Sequence, residues 1–243
     1  MRTPRVYHRG PVQVGRDLAL DETSSHHLGR VLRMKAGDDV VIFDGTGGEY
    51  RGAIRIVDRS TVRVRVDGFE PIERESELHV GLVQVVSAGE RMDFTLQKAV
   101  ELGVAWIQPL LARRAKVRLE GERAVRRSLH WQRVVNAACE QSGRNRVPTV
   151  RPLSDLPDWL SHAGTPTRRL VLDPGAQLRL SQAGPLRGEI ELLAGAEAGF
   201  EDDELALVVH HGFTPVRLGP RVLRTETAGI AALAALQALW GDF

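Results

Sequence analysis

The chain has 243 residues, 42% of them hydrophobic and 26% charged, with a formal net charge of +2; this suffices for one large core or two modest ones and leaves no run able to span a membrane. The single cysteine, Cys139, excludes an intrachain disulfide, and the members of the His26-His27 and His210-His211 pairs point apart on helix or strand, so no metal site is expected. The opening MRTPRVYHRG lacks the apolar run of a secretory signal, and a cytoplasmic protein is expected.

Residues 1–70 read as β-rich. One helix is predicted from Thr23 to Met34, with Leu28, Val31 and Leu32 on one face. Val40 to Phe43 is a buried strand, Asp44 to Gly48 a turn and Ala53 to Val57 another strand. Thr61 to Val66 alternates strictly, valines on one face and Arg63 and Arg65 on the other. Short strands this dense suggest a small barrel, with its arginines on an RNA-binding or simply solvated face. Residues 71–77, with Pro71 and the unpatterned charges of Glu73 to Glu77, read as a linker between domains 1–70 and 78–243.

The pattern then changes. Leu78 to Val86 is a fully buried strand, Met92 to Leu102 an amphipathic helix closed by Gly103, and Ala105 to Leu111 the next strand. A helix from Ser128 to Ser142 follows, then strands at Leu170 to Leu172 and Ile190 to Ala194, and a helix from Glu201 to His211. A short strand at Val216 to Leu218 and a helix from Thr227 to Trp240 complete the chain. Strand alternating with helix predicts a mainly parallel α/β sheet.

Charge is uneven. Arg113, Arg114, Lys116, Arg118, Arg123, Arg126, Arg127, Arg133, Arg144, Arg146 and Arg151 face only Glu120, Glu122 and Glu140 between positions 113 and 151. Such a block suits a phosphate-facing surface or a solvated helix face. Arg144 and Asn145 follow the helix-ending Gly143 and are placed to touch phosphate or base, while Cys139, among alanines, reads as a small buried hydrophobe. Lys98 and Glu101, three apart on a helix, read as a surface ion pair.

Two segments carry the candidate site. Gly195-Ala196-Glu197-Ala198-Gly199 joins a buried strand to a helix with small residues that let a ligand approach the backbone, yet it is neither a dinucleotide fingerprint nor a P-loop. Leu218-Gly219-Pro220-Arg221-Val222-Leu223-Arg224-Thr225-Glu226-Thr227-Ala228 brings two arginines and a carboxylate to a helix start. Thr225 or Thr227 would be an ordinary cap there; two arginines beside it favour a polar ligand next to an anionic substrate.

Taken in order with Pro4-Arg5-Val6-Tyr7, His26 to Met34, Gly89 to Lys98, Glu101 to Val104 and Glu140 to Pro148, these segments resemble the ribosomal small-subunit RNA methyltransferase E family. That family methylates N3 of a uridine in 16S ribosomal RNA. The resemblance runs nearly end to end and implies a small PUA-like β-barrel followed by a SPOUT-type knotted α/β methyltransferase domain, in a homodimer with S-adenosylmethionine held in the knot loops. The matching cofactor residues are Leu172, Asp173 and Pro174; Ala194, Gly195, Ala196, Glu197 and Gly199; and Leu218, Gly219, Val222 and Leu223. Arg5, Tyr7, Arg30, Arg33, Arg144, Asn145 and Arg146 are expected to contact RNA, within the small ribosomal subunit. Arg221 and Arg224 would stabilise the uracil anion or hold phosphate, and either Glu226 or Glu197 would take the proton or orient the cofactor amine.

The middle loop departs from the family's usual Gly-Pro-Glu-Gly-Gly. Losing the proline is expected to loosen the turn, and Ala198 to add a methyl where the backbone approaches the ligand. A non-catalytic RNA-binding assembly factor and a related SPOUT enzyme acting on a transfer RNA ribose are the competing readings.

Overall fold

A computed structural model of the chain describes residues 3–58, 61–114, 117, 119–162, 164 and 168–243, so Lys116 and Arg118 of the basic block lie outside the described residues. The chain forms two compact units, Met1–Glu75 with Asn136–Val147, and Ser76–Val135 with Pro148–Phe243.

The first unit holds strands β1 (Arg5–Tyr7) and β2 (Asp17–Ala19), helix α1 (Glu22–His26), and strands β3 (Asp39–Phe43), β4 (Glu49–Val57) and β5 (Val62–Glu70). They form one sheet in the order β1-β3-β4-β5-β2, antiparallel except for β1 with β3. The predicted alternation in β5 holds: Val62, Val64 and Val66 are buried and Arg63 and Arg65 exposed. Val6, Leu28, Ile42 and Ile54 complete this core. The pairing of β4 with β5 shifts register at Arg51/Gly52, where an added Cβ on Gly52 would lie 2.4 Å from the Arg65 carbonyl oxygen.

The predicted helix over 23–34 does not form as one face. After α1 the chain widens into a π-helical turn from His27 to Val31, and Arg33 takes a φ of 55°. The wider turn shifts the side-chain period. Leu28 is therefore buried, while Val31 and Leu32 are 59% and 43% exposed.

Residues 73–75 are not a free linker. Glu73 pairs with Arg146, Arg74 donates to Glu49 at 3.1 Å and to the Gly143 carbonyl at 2.9 Å, and Glu75 pairs with Arg144. Asn145 Nδ2 donates to the Ile72 carbonyl at 2.6 Å. Arg5 reaches Glu49 and the Asn145 side-chain oxygen from β1. Charged groups with so many partners of their own chain stay ordered, and they tie 136–147 into the first unit rather than into the expected contiguous domain 78–243.

The second unit follows the α/β alternation. It holds β6 (His79–Val85), α2 (Arg91–Glu101), β7 (Trp106–Leu111), α3 (Gly121–Ser142), whose residues from Asn136 belong to the first unit, β8 (Thr149–Val150) and β9 (Ser154–Asp155). Next come α4 (Leu156–His162), β10 (Arg168–Leu172), β11 (Glu189–Ala194), α5 (Asp202–His210), β12 (Thr214–Val216) and α6 (Thr225–Trp240). The sheet runs β12-β10-β11-β6-β7-β8, with β9 beside β7, and its pairings are parallel. Both faces are covered, so β6 and β11 are buried almost throughout, as unbroken apolar strands require. Gly81 must lack a side chain because the Trp106 ring lies 2.1 Å from where its Cβ would sit. Gly103, at φ 79°, closes α2, and Lys98 pairs with Glu101 as read from their spacing.

Much of the basic block is spent within the chain. Arg113 pairs with Glu201 and Asp203, Arg126 with Glu122, and the Arg151 guanidinium stacks 3.6 Å over Trp106. Cys139 is buried, and burial pushes its thiol up to about 12, which makes it inert at neutral pH.

Burial opposes ionisation of Glu49, but the hydrogen bonds and charges of Arg5 and Arg74 outweigh it and hold the carboxyl below its usual range. A depressed folded-state value adds stability that is complete above the unfolded carboxylate value and disappears as pH falls through the folded one. Glu49→Gln leaves Arg5 buried without its counter-charge and is expected to cost about 3 kcal/mol in urea unfolding at neutral pH. The deficit relative to wild type narrows in acid, where the native carboxylate is also lost.

Candidate functional site

Strands β12, β10 and β11 are neighbours, and the loops at their C-terminal ends meet over the start of α6. Ligands of open parallel sheets bind at this edge. The loops enclose a pocket with about 630 Å³ of empty space, part of it open to solvent.

Each loop has its own geometry. After β10, Asp173 Oδ1 accepts from the Gly175 N–H at 2.9 Å, making a tight turn, and the Asp173 N–H donates to the Val216 carbonyl at 3.0 Å. After β11, the Gly199 N–H returns to the Ala196 carbonyl at 3.0 Å, and Gly199 has a φ of 68° that favours glycine. After β12, Arg217 and the segment 178–180 exchange backbone hydrogen bonds of 2.9 Å. A Cβ added to Gly219 would meet nothing within 4 Å, so the space beside that residue is empty.

One hydroxyl joins the floor to the wall. Thr225, 4% exposed, donates from Oγ1 to the Gly195 carbonyl at 2.7 Å and accepts from Gln84 Nε2 at 3.2 Å. It is therefore not the helix cap. The cap position belongs to Arg224, whose side chain makes no capping bond, and α6 begins at Thr225 rather than Thr227.

Of the expected cofactor residues, Leu172, Asp173, Pro174, Gly195, Ala196, Glu197, Gly199, Leu218, Gly219, Val222 and Leu223 line the pocket, and so does Arg221. Ala194 does not; it is the buried last residue of β11. Arg224 and Glu226 lie at the first turn of α6, outside the lining. Val216, Arg217, Thr225 and Ala228 also line it, the last two from within the candidate segment Leu218 to Ala228. Thr225 reads either as a cap or as part of the ligand segment, and Arg217 as the middle of the strand predicted at Val216 to Leu218, whereas β12 ends at Val216.

Ala198 is exposed and absent from the lining, so its methyl does not crowd the pocket, while Ala196 is buried at its edge. Glu197 pairs with Arg91 at the start of α2, and Arg114 donates to the Ala198 carbonyl at 3.2 Å. Arg217 Nε and Glu226 Oε2 are buried with no hydrogen-bond partner among the described residues. Buried polar atoms are nearly always satisfied, so Arg217 Nε, on a residue that lines the pocket, suits a polar ligand.

The residues expected on RNA divide. Arg5, Arg144 and Asn145 are 8%, 5% and 0% exposed and are consumed by Glu49, Glu75, Ile72 and each other, so they brace the first unit from inside rather than face phosphate. Tyr7 is half-buried with its ring 5.7 Å from that of Phe43, and its N–H donates to Glu140, whose carboxyl burial pushes up against that bond. Arg30, Arg33 and Arg146 are exposed, the last paired with Glu73. Among the described residues no group of His, Cys, Asp or Glu is placed to hold a metal ion, and no helix is long and apolar enough to cross a membrane.

Residues 74–237 match the family model of an RNA methyltransferase domain, and residues 20–67 that of an RNA methyltransferase PUA domain. The ribosomal RNA small subunit methyltransferase E of Buchnera aphidicola subsp. Acyrthosiphon pisum is 33% identical, over 100% of this chain and 96% of that protein. A methyltransferase from Legionella pneumophila, solved with the bound cofactor SAM, has a TM-score of 0.97 and 39% identity, with 100% of both chains covered. The ribosomal RNA small subunit methyltransferase E of Neisseria gonorrhoeae, solved with S-adenosyl methionine, has a TM-score of 0.95 and 38% identity over the same full coverage. A PUA unit, a parallel α/β unit and matches that run the whole length leave one conclusion: the chain belongs to the ribosomal RNA small subunit methyltransferase E family.

Proposed function

We propose that the chain transfers a methyl group from S-adenosylmethionine to N3 of a uridine in 16S ribosomal RNA of the small ribosomal subunit, as a cytoplasmic homodimer with the knotted C-terminal topology of its family. The observation that carries this reading is the pocket at the C-terminal ends of β10, β11 and β12, in a chain that aligns end to end with two proteins solved with that cofactor.

The three loops would hold the cofactor, with Ala194 supporting Gly195 from below. The space beside Gly219 and the unsatisfied Arg217 Nε fit a ligand with polar groups. When bound, S-adenosylmethionine supplies an electrophilic sulfonium methyl. The residues of the chain have to orient the uracil, remove the imide proton and stabilise the resulting anion while the new N–C bond forms. Glu226 is assigned as the base of the two carboxylates, because no ion pair holds it among the described residues whereas Glu197 is engaged by Arg91. Arg224 and Arg221, both exposed beside the pocket, supply fixed positive charge to the anion or the flanking phosphates. In the first unit, Arg30, Arg33, Arg146 and Tyr7, with Arg63 and Arg65 of β5, are the groups left to meet the RNA backbone. That contact should weaken with salt.

Three measurements test the reading. Nucleoside mass spectrometry of 16S ribosomal RNA from a deletion strain should lose N3-methyluridine; an intact base mark with a missing ribose mark would favour the ribose-methylating alternative. Arg224→Ala should lower methyl transfer by about 100-fold at an unchanged unfolding midpoint, and full residual activity removes it from the site. Gly219→Leu should keep the fold, since the Cβ meets no neighbour. It should fill the pocket and weaken calorimetric binding of S-adenosylmethionine by roughly tenfold or more.

A further inference from the structure

The loop Gly195-Ala196-Glu197-Ala198-Gly199 has two glycines and no proline, so its own backbone restricts it little. Its order has to come from contacts. Thr225 holds the Gly195 carbonyl, and Arg114 reaches the Ala198 carbonyl. The centre of the loop, Glu197, is held by Arg91. Glu197 lines the pocket and Arg91 does not, so Arg91 reaches the pocket only through that carboxylate.

Arg91 is itself well anchored. It opens α2, and its carbonyl accepts from Thr95 Oγ1 at 2.9 Å. Next to it Met92 is buried, Asp93 bonds His130 of α3 at 2.6 Å, and the Gly89 carbonyl accepts from Arg127 at 3.3 Å. The backbone at Arg91 is thus clamped from α3, while its side chain, 45% exposed, spans to a glutamate whose side chain is 19% exposed. The ion pair therefore links a loop with few backbone restraints of its own to the head of a helix packed on α3.

We propose that Arg91 is a positioning residue for the methyl-donor loop, holding Glu197 so that the loop keeps the pocket open to the cofactor. This rests on the reading of the pocket as the S-adenosylmethionine site. A residue acting only through Glu197 affects cofactor binding rather than the chemical step, and loses its effect once Glu197 no longer carries charge.

The test uses Arg91→Gln, Arg91→Lys, Glu197→Gln and the double variant Arg91→Gln/Glu197→Gln in the full chain, with calorimetric titration of S-adenosylmethionine and steady-state methylation of small-subunit RNA. Arg91→Gln is expected to raise the cofactor Kd and KM by about fivefold with kcat within about twofold, the size of a partly exposed ion pair. Arg91→Lys should recover part of the loss, and the double variant should bind no more weakly than the weaker single one. Unchanged cofactor affinity in Arg91→Gln overturns the proposal, as do additive losses in the double variant or a fall in kcat at constant KM. If wild type binds no S-adenosylmethionine, the functional reading falls and this inference with it; if wild type binds and methylates while Arg91→Gln matches it, only the inference falls.

Discussion

The pocket depends on one buried hydroxyl. Thr225 Oγ1 accepts from Gln84 in the middle of the sheet and donates to the carbonyl of Gly195 at the end of β11. Its partners belong to different elements, so a single side chain ties the start of α6 to the ends of two strands. Without it the Gly195 carbonyl and the buried Gln84 amide would each lose a partner, at a cost of about 1–3 kcal/mol. The first turn of α6 would also lose the contact that fixes its entry. Everything proposed for Arg221, Arg224 and Glu226 presupposes that this turn stands where it does.

Most of the second unit was legible because burial on both faces of a parallel sheet demands continuous apolar runs, and β6 and β11 are such runs. The three loops were legible for a related reason: small residues and turn formers follow each strand directly. The short elements were not. β8 and β9 have two residues each, and β1 and β2 three, too few for any period to show. The broken helix after His26 was hidden because apolar residues at Leu28, Val31 and Leu32 fit an ordinary helix; only the observed π-helical turn sends the last two outward. The bond of Thr225 was hidden because a threonine before a helix also suits a cap, and nothing local reveals that a glutamine 141 positions earlier needs its oxygen.

The arginines show where charge counting fails. In the run Gly143-Arg144-Asn145-Arg146 adjacent positions have opposite fates. Arg144 and Asn145 vanish into a network with Glu75, Arg5 and Ile72, and Arg146 stays exposed. The missing signal was the acidic stretch 73–75, which looks unpatterned because its partners are distant in sequence. Once those pairs form, a segment that resembles a linker becomes an interior seam of the first unit. Buried pairs of this kind are costly to break singly, because the partner left behind keeps its charge and loses its water. The same residues therefore contribute more through order than through any ligand contact.

The two carboxylates of the second unit divide by the same logic. Glu197 sits in the pocket wall bonded to Arg91 and, on the reading proposed above, shapes the loop, whereas Glu226 stands on the first turn of α6 with no ion pair among the described residues. A proton acceptor must have a lone pair to offer when substrate arrives. A carboxylate clamped by a guanidinium has its geometry fixed, which suits orientation; one held in no ion pair suits proton transfer. From residue types alone the pair could not be separated, since both are glutamates beside small residues at a strand-to-helix junction. On the proposed reading their partners separate them, and the partner that does so, Arg91, lies at the head of a helix more than a hundred residues in sequence from Glu197.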